Sequence, residues 1–302
     1  MPPDLSVIIC THNRPELLRE ALAAIEHQDH PGPIETIVVF DRSTPDESLA
    51  RRDGNRPVRI VTNERTPGLP GGRNTGVLHA AAPIVAFCDD DDLWTADKAR
   101  RQLELLAARP EVVCTMSGMR VVAGDAVVDR LVGRPEITFD MLLADRVAAA
   151  HISAAMVRRD AFLGPIGLVN EEIPGGYAED YDWTLRAARV HPIAVIDEPL
   201  VTIRWGLGSY FAERWVMIDQ ALGYLLDTYP EFDRYPAGKA RILGQRAFAQ
   251  AASRQGHVGR TIRDTLRRNW REPRAYLAAL VAARVVPANR VVRALNARGR
   301  GI

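Results

Sequence analysis

Four consecutive aspartates, Asp89 to Asp92, directly follow the apolar run at 84–88 and directly precede Leu93-Trp94. A β-branched and aromatic run that stops at acids reads as a buried strand ending at an exposed edge. In open α/β sheets the carboxyl ends of the strands face the ligand crevice. Four adjacent carboxylates repel one another unless positive charge sits among them. Hard divalent cations such as Mg²⁺ or Mn²⁺ take oxygen ligands and are commonly shared with substrate phosphates. The run is therefore a candidate metal and phosphate site as well as a candidate solvated turn. A second acid pair, Glu179-Asp180, opens a helical pattern with Leu185 and Ala188 inward; the helix dipole alone would favour acids there.

Alternating elements would position these residues. Apolar runs at 5–10, 34–40, 58–62 and 84–88 read as strands, and 16–27 and 98–108 have apolar residues at helical spacing. Pro15 suits a helix's first turn. A glycine-rich loop, 67–74, is expected to lead into a helix ending near Ala82, with Gly71-Gly72 permitting close backbone approach. Strands alternating with helices predict an α/β fold with a mostly parallel, Rossmann-like central sheet flanked by helices. Polar residues recur at the segment ends: Thr11, Asp41, Arg73 and the aspartate run. Further strands are expected at 112–119, 119–128, 152–158, 193–196 and 200–204. From Ala212 the pattern is helical.

The bulk numbers describe an ordinary soluble globular chain: 302 residues, 47% hydrophobic and 25% charged. The net charge of +1 hides an asymmetry. Residues 251–302 hold 12 Arg against Asp264 and Glu272, a charge of +10, which leaves −9 for the first 250. Cys10, Cys88 and Cys114 lie in apolar runs without CxxC spacing, which argues for reduced thiols in the cytosol and against zinc. There is no signal-peptide pattern at the start, and no run reaches the about 18 apolar residues of a spanning helix.

Five segments in order, SVIICTHNRPELL, VVFDRSTPD, GLPGGRNTG, AFCDDDDLW followed by Lys98 and Gln102, and AEDYDWTLR, resemble the family 2 glycosyltransferases of the GT-A fold. The resemblance covers residues 4–210. It implies a catalytic domain at 1–210, with a nucleotide-binding part at about 1–110 and an acceptor part at about 111–210, followed by a helical basic extension at 211–302. It implies a metal-dependent inverting transferase that moves a sugar from a UDP- or dTDP-sugar to a hydroxyl of a carbohydrate or lipid-linked acceptor in cell-envelope or glycoconjugate synthesis. The cofactor would be Mg²⁺ or Mn²⁺.

Carried onto this chain, Asp41 matches the strand-end acid turned toward uracil, although Phe40 replaces a companion acid. Arg73 matches a basic residue near the base or diphosphate, supported by Asn74, while Thr11 and Arg14 line the first strand's end. Asp91 falls in the metal position and Asp89 in the ribose or metal shell, with Asp90 beside them. Four acids also fit the register Asp90 and Asp92. Asp180 matches the catalytic base, and Glu179 would orient the acceptor or the loop. Trp183 and Arg186 would brace the helix. The family often places a His shortly after an Arg; here Gly206 stands in that position, leaving Arg204 and Ser209 as candidate diphosphate contacts.

The tail from Ala275 to Leu295 suggests a basic amphipathic helix interrupted near Pro287, suited either to packing on the catalytic domain or to an anionic membrane surface. The expected location is cytoplasmic, or peripheral on the inner face of the cell membrane. Nucleic acid is not expected as a partner, because aromatics are sparse among the arginines. Two other readings are a sugar-nucleotide pyrophosphorylase, which expects a GxGxR-type loop where Thr11-His12-Asn13-Arg14 stands, and a non-catalytic nucleotide- or glycan-binding protein.

Overall fold

The computed structural model describes residues 2–147, 149–205 and 213–296. The first part of the chain runs β1 (Leu5–Thr11), α1 (Pro15–Glu26), β2 (Ile34–Phe40), β3 (Val58–Thr62), α2 (Leu69–His79), β4 (Ile84–Phe87), β5 (Leu93–Trp94) and α3 (Lys98–Ala108). Next come β6 (Cys114–Ala123), β7 (Ala126–Arg130), β8 (Glu136–Ile137), α4 (Phe139–Ala144), β9 (Met156–Arg158), α5 (Arg159–Leu163), α6 (Glu179–Val190) and β10 (Ile193–Arg204). Among the described residues five helices follow: α7 (Trp215–Thr228), α8 (Pro236–Ala252), α9 (Val258–Arg268), α10 (Pro273–Ala282) and α11 (Ala288–Asn296).

The sheet is mixed. Its order is β3-β2-β1-β4-β9-β6-β10-β5, with β7 on β6 and β8 on β10. β3, β2, β1 and β4 are parallel, as expected. Short β9 then inserts antiparallel between β4 and β6, and β10 runs parallel to β6. Side chains alternate across β1: Ile8 and Cys10 join the cluster under α6, while Val7 and Ile9 join the one under α1 and α3. Both faces are covered, which is why these strands read as continuous apolar runs.

Several boundaries differ from the sequence reading. From Leu69 the glycine-rich segment is the first turns of α2, and only Pro67 and Gly68 remain outside the helix. A Cβ on Gly71 would lie 1.9 Å from the Thr66 carbonyl oxygen and one on Gly72 would lie 2.9 Å from Cys10 Sγ. Their small size lets α2 seat against the chain itself. The strand break expected at Met119 falls at Gly124, whose φ of +58° makes the β6–β7 turn. Segments 193–196 and 200–204 form one strand, β10, with a register shift around Pro199. Residues 152–154 are a 3₁₀ turn before β9.

Helices α7 and α8 join the core beside α6, and α9 and α10 pack on α8. Leu222, Leu225 and Ile242 of α7 and α8 share a core cluster with Trp183 and Leu185 of α6. Trp183 stacks 5.6 Å from Phe162 and meets Phe87 edge-on at 6.1 Å, so it braces α6 against β4.

Lys98 is fully buried at the start of α3. Its Nζ donates to Gln102 Oε1 at 2.6 Å and sits 3.8 Å from the Trp94 ring centroid. Burial pushes its pKa down to about 7. The unfolded chain therefore binds a proton between the ordinary lysine value of 10.5 and about 7 that the folded chain does not, and stability falls as pH drops through that window. In urea unfolding, Lys98→Met should gain stability relative to wild type at pH 7, and the gain should shrink toward pH 10. A difference that does not change with pH would refute the neutral-lysine account.

Candidate active site

The carboxyl ends of β1, β2 and β4 and the start of α2 converge on two clefts. The first, of about 240 Å³, is lined by Thr11, Arg14, Asp41, Gly68 and Asp90, among others. Asp41 is buried at the end of β2. Asn63 Nδ2 donates to its Oδ1 at 2.8 Å, and the Gly68 N–H and Arg42 Nε donate to Oδ2 at 3.0 Å each. Burial works against ionisation of this carboxyl, but the bonds from Asn63, Gly68 and Arg42 outweigh it and hold its pKa below the ordinary value. Three donors leave carboxylate lone-pair capacity facing the cleft.

The second cleft, of about 220 Å³, is lined by Arg73, Asp89, Arg146, His151, Tyr177 and Asp180, with a wall from α7 and α8. Leu69 lines both clefts, and the aspartate run lies between them: Asp90 faces the first and Asp89 the second.

Each aspartate has a different neighbour. Arg73 Nη2 donates to Asp89 Oδ1 at 2.8 Å. Burial opposes ionisation of Asp89, but Arg73, then His151 and Arg14, outweigh it and hold its pKa low. Thr11 Oγ1 donates to Asp90 Oδ2 at 2.8 Å, and Arg14 Nη1 reaches Asp90 Oδ1 at 3.2 Å and Asp91 Oδ2 at 2.9 Å. Burial, then repulsion from Asp89 and Asp90, pushes Asp91 up to about 6. Asp92 is the most buried of the four. Its carboxyl is pushed well up by burial, Asp89 and Asp91, and its Oδ2 has no hydrogen-bond partner. His151 Nδ1 lies 3.7 Å from that oxygen. Among the described residues, Asp89, Asp92 and His151 bring ligand atoms within 4.8 Å of one another.

A divalent cation fits this donor set. Several crowded carboxylates, one carrying an orphaned buried oxygen, offer the hard ligands that Mg²⁺ or Mn²⁺ prefers, and an added cation would lower the carboxyl pKa values that burial has raised.

Arg73 is buried beside the aspartates, with Nη1 on Glu179 Oε1 and Nη2 on Asp89; it lines the second cleft and not the one that holds Asp41. The reason is that α2 begins at Leu69, so Arg73 points from a helix beneath the aspartates rather than from a free loop. Glu179 accordingly pairs with Arg73. Burial pushes its pKa up to about 7; Arg73 opposes the rise and Asp180 adds to it. Asp180 stands at the first turn of α6 in the second cleft, its Oδ1 accepting from the Tyr181 N–H at 2.8 Å and its Oδ2 3.9 Å from Arg146. Ala178, the residue before this pair, has a φ of +65°, a costly conformation for alanine that fixes the entry to α6.

The Arg204 side chain lies apart from both clefts. Its guanidinium pairs with Glu20 of α1, while the Arg204 backbone bonds to Asp92. Asn74 ties α2 to the loop at Val169, donating to Val169 O at 2.9 Å and accepting from Val169 N at 2.8 Å. Arg186 braces α6 through Asp182 at 2.9 Å. Gly206 and Ser209 lie outside the described residues.

The sequence reading missed His151, Arg146, Arg241 and Gln245, which all line the second cleft. Arg241 and Gln245 carried a usable signal: two polar residues one helical turn apart within an otherwise small and apolar helix face. His151 and Arg146 carried none, being in an irregular segment.

The profile of Glycosyl transferase family 2 matches residues 6–163. The chain belongs to glycosyl transferase family 2. This family 2 glycosyltransferase is 28% identical over 208 residues to the amylovoran biosynthesis glycosyltransferase AmsE of Erwinia amylovora, covering 67% of this chain and 76% of that one. It is 23% identical over 140 residues to the UDP-Glc:alpha-D-GlcNAc-diphosphoundecaprenol beta-1,3-glucosyltransferase WfgD of Escherichia coli, covering 46% of this chain. That match spans 54%, about half, of the Escherichia coli relative. Among solved structures, S. aureus TarS 1-349 in complex with UDP superposes with a TM-score of 0.61 at 18% identity, over 98% of this chain and 92% of that one. The Pyrobaculum calidifontis mannosyltransferase PcManGT in complex with GDP-Man and Mn²⁺ gives 0.55 at 20% identity, over 96% and 87%. These likenesses establish the GT-A fold for the family 2 glycosyltransferase described here. Family membership displaces the pyrophosphorylase reading.

Proposed function

We propose that the chain is a metal-dependent, inverting hexosyltransferase that moves a sugar from a UDP- or dTDP-sugar to a hydroxyl of a carbohydrate or lipid-linked acceptor in cell-envelope polysaccharide or glycoconjugate synthesis. The observation that carries this reading is the meeting of the two clefts at the aspartate run, with a hydrogen-bond-accepting acid, Asp41, deep in one and Asp180 in the other. Relatives named for cell-envelope polymers and for a diphosphoundecaprenol acceptor support the acceptor class.

In the first cleft, Asp41 accepts from the N3–H of uracil or thymine; cytosine and adenine present acceptors at the equivalent edge and are disfavoured. Thr11 and Arg14 hold Asp90 and Asp91 toward the diphosphate. In the proposed register Asp91 and Asp89 would hold the Mg²⁺ or Mn²⁺; Asp90 with Asp92 is the alternative register, and Asp89, Asp92 and His151 are the group whose ligand atoms lie together. When bound, the cation neutralises charge developing on the diphosphate leaving group. Asp180 takes the proton of the acceptor hydroxyl as that oxygen bonds to the anomeric carbon and the bond to the diphosphate oxygen breaks. Attack from the second cleft, opposite the leaving group, inverts the centre. Arg73 positions both sides by holding Asp89 and Glu179. The working catalytic unit is 1–210 with the helices beyond it closing the acceptor side. No described helix is long and apolar enough to cross a membrane; the proposed location is cytoplasmic or at the inner membrane face.

The test is thermal shift with UDP, dTDP and GDP, with and without Mn²⁺. UDP or dTDP should raise the melting temperature only with metal, and Asp91→Ala should remove the metal-dependent part. No response to any nucleotide under either condition would refute the donor site and favour the non-catalytic reading. Metal-dependent binding that survives Asp91→Ala but is lost in Asp92→Ala would move the register by one.

A further inference from the structure

The structure divides α10 into two apolar faces. Ala275, Ala278 and Val281 are buried, and Ala278 and Val281 pack with Ala247, Phe248 and Ala251 of α8. Tyr276, Ala279, Leu280 and Ala283, at i, i+3, i+4 and i+7, are exposed. Val281 therefore points inward and Tyr276 outward, a division that the tail's sequence pattern left open. Trp270 and Val285 flank this stripe and are 65% and 67% exposed. Tyr276 donates to the Trp270 carbonyl oxygen at 2.6 Å, and the Val285 N–H donates to the Leu280 carbonyl, so the flanks are tied to the stripe. A contiguous exposed apolar patch marks an interaction surface.

The surrounding charge is mostly positive, although Asp264 lies 3.8 Å from Arg267 and Asp233 lies near Arg268. Across residues 251–296, nine arginines are exposed, including Arg267, Arg268, Arg271 and Arg284, whereas Glu272 is buried and Asp264 half-buried. We propose that the outward face of α10, with Trp270 and the arginines around it, docks on an anionic lipid bilayer. The apolar stripe enters the headgroup–acyl boundary, Trp270 and Tyr276 sit at that boundary, and the arginines meet acidic headgroups. A second copy of this chain is a poorer occupant, because a two-fold contact through this face would set its arginines against their own equivalents. The face lies outside both clefts, so membrane binding and nucleotide binding report separately.

The experiment is flotation of the full chain with vesicles of phosphatidylcholine alone, or of phosphatidylcholine mixed with phosphatidylglycerol. The protein should float with the mixed vesicles only, and raised salt should release it. Tryptophan emission should shift to the blue on binding, and Trp270→Phe should remove that shift. Tyr276→Ser with Leu280→Ser should cut the bound fraction at least about tenfold while UDP binding stays at the wild-type value. If that variant misfolds, Arg267→Gln with Arg268→Gln and Arg271→Gln should show the same loss. Wild-type flotation by a folded variant of either kind, or equal flotation with neutral vesicles, would overturn the proposal. So would absence of flotation together with a dimer that the Tyr276→Ser, Leu280→Ser variant abolishes, an outcome that assigns the face to self-association.

Discussion

Asp180→Asn is expected to lower sugar transfer by about 10²–10⁴-fold, the usual contribution of a positioned general base, while metal-dependent nucleotide binding stays within about twofold of wild type. The two effects separate because Asp180 lines the second cleft and Asp41 the first. The amide keeps the size of the side chain and the oxygen that accepts from the Tyr181 N–H, so α6 should keep its first turn. What is lost is the basic oxygen that receives the hydroxyl proton. Measuring UDP release with and without acceptor, alongside nucleotide thermal shift, checks both halves. Wild-type turnover in Asp180→Asn would sink the assignment, and lost nucleotide binding would show that Asp180 holds the donor instead.

Arg73→Met should produce the largest loss of stability, about 3–5 kcal/mol, because breaking a buried ion pair leaves its partners uncompensated. Arg73 is 3% exposed and is shared by Asp89 and Glu179, two acids that would otherwise repel each other across the site. Their responses differ with pH. Glu179 has a folded pKa raised from 4.5 to about 7, so its neutral form suits the fold below the unfolded value, and that contribution is lost as pH rises through about 7. Removing the guanidinium makes ionised Glu179 costlier still. The penalty of Arg73→Met in urea unfolding should therefore be larger at pH 8 than at pH 5, and Arg73→Met with Glu179→Gln should recover part of it. A penalty equal at both pH values, with no recovery in the double variant, would show that Arg73 contributes packing rather than charge.

Much of the first 110 residues was legible in the sequence. Strands β2 and β3 and helix α3 fall on the predicted residues because each carries its own periodicity, and Asp41 and the aspartate run were visible as polar breaks after apolar runs. Local signals failed where tertiary contacts override them. Glycines and a proline that suggest a loop at 67–74 begin α2 from Leu69, where there is no room for a Cβ at Gly71, against the Thr66 carbonyl, or at Gly72, against Cys10 of β1. The strand at 193–204 looked broken at Pro199, yet pairing with β6 carries it through a register shift.

The sequence by itself determined the family, the alternation of strands and helices, and which acids and arginines stand at the ends of elements, since all of these are written in neighbouring residues. Only the tertiary structure decided how those residues meet. Arg73 joins Glu179 across 106 positions of sequence, Arg204 turns away to Glu20, α8 brings Arg241 and Gln245 to the second cleft, and α10 keeps one apolar face outward. The physical reason is that these contacts depend on sheet order, on the antiparallel insertion of β9, and on which helix faces are already covered. Those properties belong to the packed whole and leave no local period to read.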